Sequence, residues 1–94
     1  GELGGIAEKM LDCAFVVHRE LGPGLLESVY ETCLCDELAA VGLGFQRQLS
    51  LPVYYKGRRT SGTFRLDLVV EQKIVVEVKA VEALLKVHEA QLLT

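Results

Sequence analysis

Apolar residues recur at three- to four-residue steps between Ile6 and Leu21, at Ile6, Met10, Ala14, Val17 and Leu21, while Glu8, Lys9, Asp12 and Arg19 fall mostly elsewhere. This period predicts an amphipathic helix. Gly22-Pro23-Gly24 then forces a turn, because proline cannot continue a helical ladder and glycine tolerates backbone angles closed to other residues. A second helix is predicted on Leu26, Val29, Tyr30, Cys33, Leu34, Leu38 and Val41, with Gly42 placed as the left-handed residue that ends it.

The period then falls to two. Phe45, Leu49, Leu51, Val53 and Tyr55 alternate with polar or exposed-type positions, Arg47 being the exception, which predicts a half-buried strand from Phe45 to Tyr55. Pro52 within it points to an edge strand or a bulge. Lys56-Gly57-Arg58-Arg59 reads as a turn tip that leads through Thr60-Ser61-Gly62-Thr63 into a second strand on Phe64, Leu66, Leu68 and Val70. After Glu71-Gln72-Lys73, the alternation of Ile74, Val76, Val78 and Ala80 with Val75, Glu77 and Lys79 predicts a third strand, paired with the second as a hairpin. Helical preference returns from about Val87 and runs to Thr94 with no capping signal, so the chain is expected to stop inside a helix as a shortened form of a longer fold.

Composition narrows the class. Ninety-four residues make one domain, expected over 1–94, and 50% hydrophobic with 24% charged residues excludes disorder. Ten Lys and Arg against thirteen Asp and Glu, net charge −3, exclude a polybasic protein that holds phosphates by bulk charge. No stretch approaches the roughly 20 apolar residues of a membrane span, so no membrane partner and a cytoplasmic location are expected. Cys13, Cys33 and Cys35 are odd in number and sit in apolar segments, which argues against a disulfide framework and ranks a redox or iron-sulfur role last.

The chemistry concentrates in the second hairpin. With a three-residue loop at Glu71 to Lys73, opposed residue numbers sum to 144, and Asp67 faces Glu77 while Arg65 faces Lys79. Like charges directly opposed on a sheet are destabilising. A divalent cation offsets that repulsion, since Mg²⁺ is usually held by one or two carboxylates while keeping several waters. Lys79, two residues past Glu77, could then hold the attacking water or stabilise charge on phosphorus. An ordinary ion-pair ladder of Arg65, Asp67, Glu77 and Lys79 accounts for the spacing equally well.

Two further motifs join this pattern. Gly24-Leu25-Leu26-Glu27-Ser28-Val29-Tyr30 follows His18-Arg19-Glu20-Leu21-Gly22-Pro23, and Asp67 is followed after nine residues by Glu77-Val78-Lys79, then by Val87-His88-Glu89-Ala90-Gln91-Leu92-Leu93-Thr94. Over nearly its whole length the chain resembles the GxxExxY proteins of the PD-(D/E)XK nuclease-like superfamily. That resemblance implies an α+β, restriction-endonuclease-like core with two N-terminal helices, a three-stranded, mainly antiparallel sheet and the start of a C-terminal helix.

It also implies roles. Asp67 and Glu77 would ligate Mg²⁺ or Mn²⁺, with the backbone carbonyl of Val78 as a third ligand, and Lys79 would be the catalytic lysine. Glu27 matches an acidic residue placed beside the metal, and Gln91 a polar residue lining the site from the last helix. His88 and Tyr30 are accessory candidates, although Tyr30 reads more readily as a packing residue. The implied function is metal-assisted hydrolysis of nucleic acid, DNA first. The alternative is a non-catalytic nuclease-fold module acting through protein contacts. An open sheet edge or a hydrophobic surface is expected to give a homodimer.

Overall fold

The computed structural model describes residues 2–22, 24 and 26–93, and of Glu89, Leu92 and Leu93 the backbone alone. Pro23 and Leu25 of the glycine turn, and Thr94 of the C-terminal motif, lie outside the described residues. The order is α1 (Glu2–Leu21), α2 (Glu27–Ala40), β1 (Phe45–Tyr55), β2 (Arg58–Val70), β3 (Ile74–Val76) and α3 (Val78–Leu93). The architecture is α+β, and all pairs in the sheet, ordered β1-β2-β3, are antiparallel.

Helix α1 buries the predicted stripe, Ile6, Met10, Ala14 and Val17, together with Cys13. It starts at Glu2, earlier than the apolar pattern indicates, where an acidic side chain suits the helix dipole and pairs with Lys73 from the β2–β3 turn. At its end Gly22 takes a left-handed φ of 68° and donates its N–H to the His18 carbonyl at 2.9 Å. Helix α2 closes on Gly42 (φ 80°), with Leu43 N–H reaching back to the Leu38 carbonyl at 2.9 Å and the Leu43 side chain buried. That is a Schellman ending.

The sheet follows the predicted register. Val70 opposes Ile74, Val69 opposes Val75 and Leu68 opposes Val76, across a turn in which Glu71 and Gln72 have φ of 53° and 57°. At the other hairpin Lys56 and Gly57 are both left-handed, the pattern of a type I′ turn. Between the pairs Pro52–Thr63 and Tyr54–Arg59, one residue of β1 faces three of β2. The bulge is held by the Thr60 hydroxyl, which donates to the Val53 carbonyl at 2.7 Å and accepts from Gly62 N–H at 3.2 Å. Pro52 therefore does lie on an edge strand beside a bulge. Arg58 and Arg59, expected in the turn tip, and Thr60 to Thr63, expected to lead from it, are all part of β2, which runs unbroken from Arg58.

Leu38, Leu68, Val70 and Val76 are fully buried and join α2 to the sheet. The inner face of the sheet, including Leu68, Val70 and Val76, packs on the helices, and α3 adds Val78 and Leu85.

Two expectations are corrected here. The third strand was expected to continue to Ala80 and the last helix to begin near Val87, whereas β3 stops at Val76 and α3 starts at Val78. The physical reason is an overlap of periods: Val76, Val78 and Ala80 fit a strand, but Val78, Val81 and Leu85 also recur as one helical face, in a segment rich in Ala, Leu, Glu and Lys. Burial of Val78 and Leu85 against the other helices decides for the helix.

Candidate functional site

An open cleft of about 430 Å³ lies where β3 gives way to α3. Glu27, Arg65, Asp67, Glu77 and Lys79 all line it, with Phe64, Leu66 and Val76 among its apolar walls. These five residues, all singled out in the sequence, thus meet in one place from three separate parts of the chain.

Each is positioned by local structure. Glu27 is the first residue of α2, after Leu26 in extended conformation (φ −65°, ψ 142°). Gly24 supplies the positive φ (89°) that the preceding turn needs. Three residues on, Tyr30 is buried, and its hydroxyl donates to the Gly22 carbonyl, tying the turn to the helix it introduces. The glycine, the glutamate and the tyrosine therefore act as one unit that starts α2 with Glu27 exposed toward the cleft.

Asp67 is half-buried on β2, and its Oδ2 accepts the backbone N–H of Val78 at 3.0 Å. Glu77 links β3 to α3, and its carbonyl accepts Val81 N–H at 3.1 Å, so it occupies the N-cap position. Asp67 caps the helix from across the hairpin, offering a carboxylate to an otherwise unpaired amide of the first turn. Lys79 stands in that first turn and is exposed.

The early start of α3 changes two assignments. Lys79 reaches the cleft from a helix, rather than from a strand position on the face of Glu77. Val78 is the first residue of α3 and is buried, so its carbonyl is directed along the helix toward the next turn, which withdraws it from the expected role of third metal ligand.

The donors suit a hydrated hard cation. Asp67 keeps Oδ1 outside its helix-capping bond, and Glu77 and Glu27 are exposed carboxylates on the same cleft. Among the described residues no three His, Cys, Asp or Glu side chains converge into a closed metal cage. Mg²⁺ does not require one, because it keeps several waters and binds through one or two carboxylates.

The other candidates stand apart. Tyr30 lines a small apolar crevice with Ala14, Val17, Leu34 and Leu85, on the helix side of the molecule. His88 sets its ring edge-on to Phe15 of α1, centroids 5.3 Å apart at 62°. Gln91 is twelve residues beyond Lys79 on α3, about 18 Å along the helix axis.

Arg65, which the sequence sets in one ladder with Asp67, Glu77 and Lys79, lines the cleft beside Asp67. One feature escapes the sequence reading of the site. Glu31, with its side chain only 8% exposed, accepts from Arg47 at 2.9 Å and from Gln48 at 2.7 Å, clamping α2 to β1 one turn after Glu27. Its carboxylate holds the Arg47 guanidinium above the ordinary arginine value. The signal was Arg47 breaking the alternation of β1; Gln48, beside it, adopts a left-handed φ of 50°.

The chain matches the PD-(D/E)XK nuclease superfamily over residues 5–94. It belongs to that superfamily. No curated protein and no solved structure is similar enough to add to the match. Membership in the PD-(D/E)XK nuclease superfamily gives the cleft its context. No described helix is long and apolar enough to cross a membrane.

Proposed function

We propose that this chain is a metal-dependent phosphodiesterase acting on nucleic acid, with DNA as the preferred substrate. The observation that carries the reading is the convergence of Glu27, Asp67, Glu77 and Lys79 on one open cleft, in a chain of the PD-(D/E)XK nuclease superfamily. Asp67 and Glu77 would hold Mg²⁺ or Mn²⁺, with Glu27 on the wall of the same cleft. The ion would supply Lewis acidity at the phosphate. The chain's own groups do the rest. Lys79 places an ammonium where charge develops on the phosphate oxygens, Glu27 orients or deprotonates the attacking water, and Arg65 adds a second cation to hold the substrate.

Cleavage of single- and double-stranded DNA and RNA in Mg²⁺ or Mn²⁺ tests this reading, comparing the wild type with Asp67→Asn, Glu77→Gln and Lys79→Ala. DNA cleavage by the wild type, lost in all three variants, supports it. Equal residual cleavage in all four proteins contradicts it.

One observation favours the alternative, a non-catalytic nuclease-fold module. Asp67 already serves as a helix cap, and a capped carboxylate has a structural reason to be there without any metal. Metal binding without cleavage of any nucleic acid would support that module.

A homodimer is part of the proposal. β3 pairs only with Leu68–Val70, so β2 offers a free edge beside the cleft to a second copy of the chain. Sedimentation at increasing protein concentration tests it, a constant monomer mass contradicting it.

A further inference from the structure

The molecule is elongated, 49 × 28 × 23 Å, and the hairpin of β1 and β2 extends beyond the helical layer. From Ser50 to Arg65 every residue is exposed except Thr60, which is half-buried. Tyr54, Tyr55 and Phe64 are each about 60% exposed or more. Charge is strongly segregated along the chain. This arm holds Lys56, Arg58, Arg59 and Arg65, four of the ten basic residues, and none of the thirteen acidic ones, leaving six basic against thirteen acidic elsewhere. A polyanion is attracted to the arm and repelled by the body.

Cross-strand partners share a face of the sheet, and the bulge preserves that order. Tyr54 pairs with Arg59, and Ser50 pairs with Arg65, so Arg59 and Arg65 lie on the face of β2 that carries Asp67. The arm's cations and the cleft's carboxylate thus follow one face of one strand. Counted along β1, from the partner of Arg59 to the position opposite Asp67, the separation is about 20 Å at roughly 3.3 Å per residue. That span corresponds to about six base pairs at 3.4 Å each.

We propose that the β1–β2 hairpin is a duplex-DNA-binding arm, entering the major groove about six base pairs from the cleft. A two-stranded ribbon fits the B-form major groove, about 12 Å wide, whereas the A-form major groove is too narrow for it. Lys56, Arg58 and Arg59 contact the flanking phosphates and Tyr54 packs against the groove wall. Lys56 also lies over the Tyr55 ring, 5.5 Å from its centroid, which pre-orders the tip. The inference rests on the nucleic-acid reading of the cleft for its biological sense, but binding by the arm needs neither a metal nor cleavage.

The test is fluorescence anisotropy in EDTA, using dye-labelled DNA duplexes of increasing length, the matching single strand and an RNA duplex, over a range of salt. The variants are a triple Lys56→Ser, Arg58→Ser, Arg59→Ser, all on the exposed tip, and a body control, Lys9→Ser, with folding checked by circular dichroism. The triple variant is expected to weaken DNA-duplex binding about tenfold or more and to reduce the slope of log K against log salt by about three, one per lost phosphate contact. Lys9→Ser is expected to bind as the wild type does. Unchanged binding by the folded triple variant overturns the proposal, as does wild-type binding to single strands or RNA as tight as to the DNA duplex, or no DNA binding at all. Because the assay excludes metal, failure of the catalytic reading leaves these outcomes unaltered.

Discussion

Asp67 on β2 accepts the backbone N–H of Val78, the first residue of α3, at 3.0 Å, so the carboxylate that faces the cleft also starts the helix carrying Lys79. One side chain therefore couples the stability of α3 to the geometry of the site. The two roles separate by substitution. Asp67→Ala removes the cap and is expected to cost about 1 kcal/mol, lowering the thermal midpoint by about 4–8 °C. Asp67→Asn keeps an acceptor oxygen, retains most of that stability and loses the charge a metal requires. Thermal melts of the two variants, followed by circular dichroism, check this.

The Glu31 clamp predicts a second stability effect. Glu31→Ala removes the acceptor for Arg47 and Gln48, both of which are exposed and can return to water, so the expected cost is about 1–2 kcal/mol. Because Glu31 and Glu27 lie one turn apart on α2, the same variant is expected to weaken catalysis in proportion to the loosening of α2. Denaturant unfolding combined with turnover on one substrate measures both effects.

Burial pushes the thiols of Cys13 and Cys35 above their ordinary values, with the carboxylates of Glu37 beside Cys13 and Glu31 beside Cys35 adding to the rise. A raised folded-state value gives stability that is fully present below the unfolded value, about 8.5, and is lost as pH rises through the folded one. The protein is therefore expected to lose stability above about pH 8.5. At pH 8, native Cys13 and Cys35 should alkylate slowly and both should react rapidly in denaturant. Mass spectrometry of iodoacetamide-treated protein reads out each site.

Lys79 offers a prediction independent of folding, since it is exposed in the first turn of α3. Lys79→Ala is expected to lower kcat by about 10²-fold or more while leaving metal affinity and thermal midpoint near wild type. Loss of metal binding in that variant would assign Lys79 to a different role.

Much of this arrangement is legible in the sequence, and the reasons are local. Ile6, Met10, Ala14 and Val17 mark α1 by their spacing, Gly42 marks the end of α2, and the three-residue loop at Glu71 to Lys73 fixes the pairing of Leu68 with Val76. The boundary between β3 and α3 is not legible, because Val76 and Val78 satisfy both periods and tertiary burial of Leu85 decides between them. For the same reason the sequence sets Asp67 and Glu77 side by side, as they stand on the cleft, but puts Lys79 on a strand. Glu31 is hidden for another reason: its partners, Arg47 and Gln48, are distant in the chain, and no local pattern connects them.

The proposed chemistry rests on Asp67 and Glu77 as a divalent-metal site. Calorimetric titration of Mn²⁺ into the wild type, Asp67→Asn and Glu77→Gln tests it most directly. One binding event per chain is expected in the wild type, abolished in both variants while their circular dichroism spectra stay unchanged. Absence of binding by the folded wild type, or binding of equal strength in all three proteins, would contradict it.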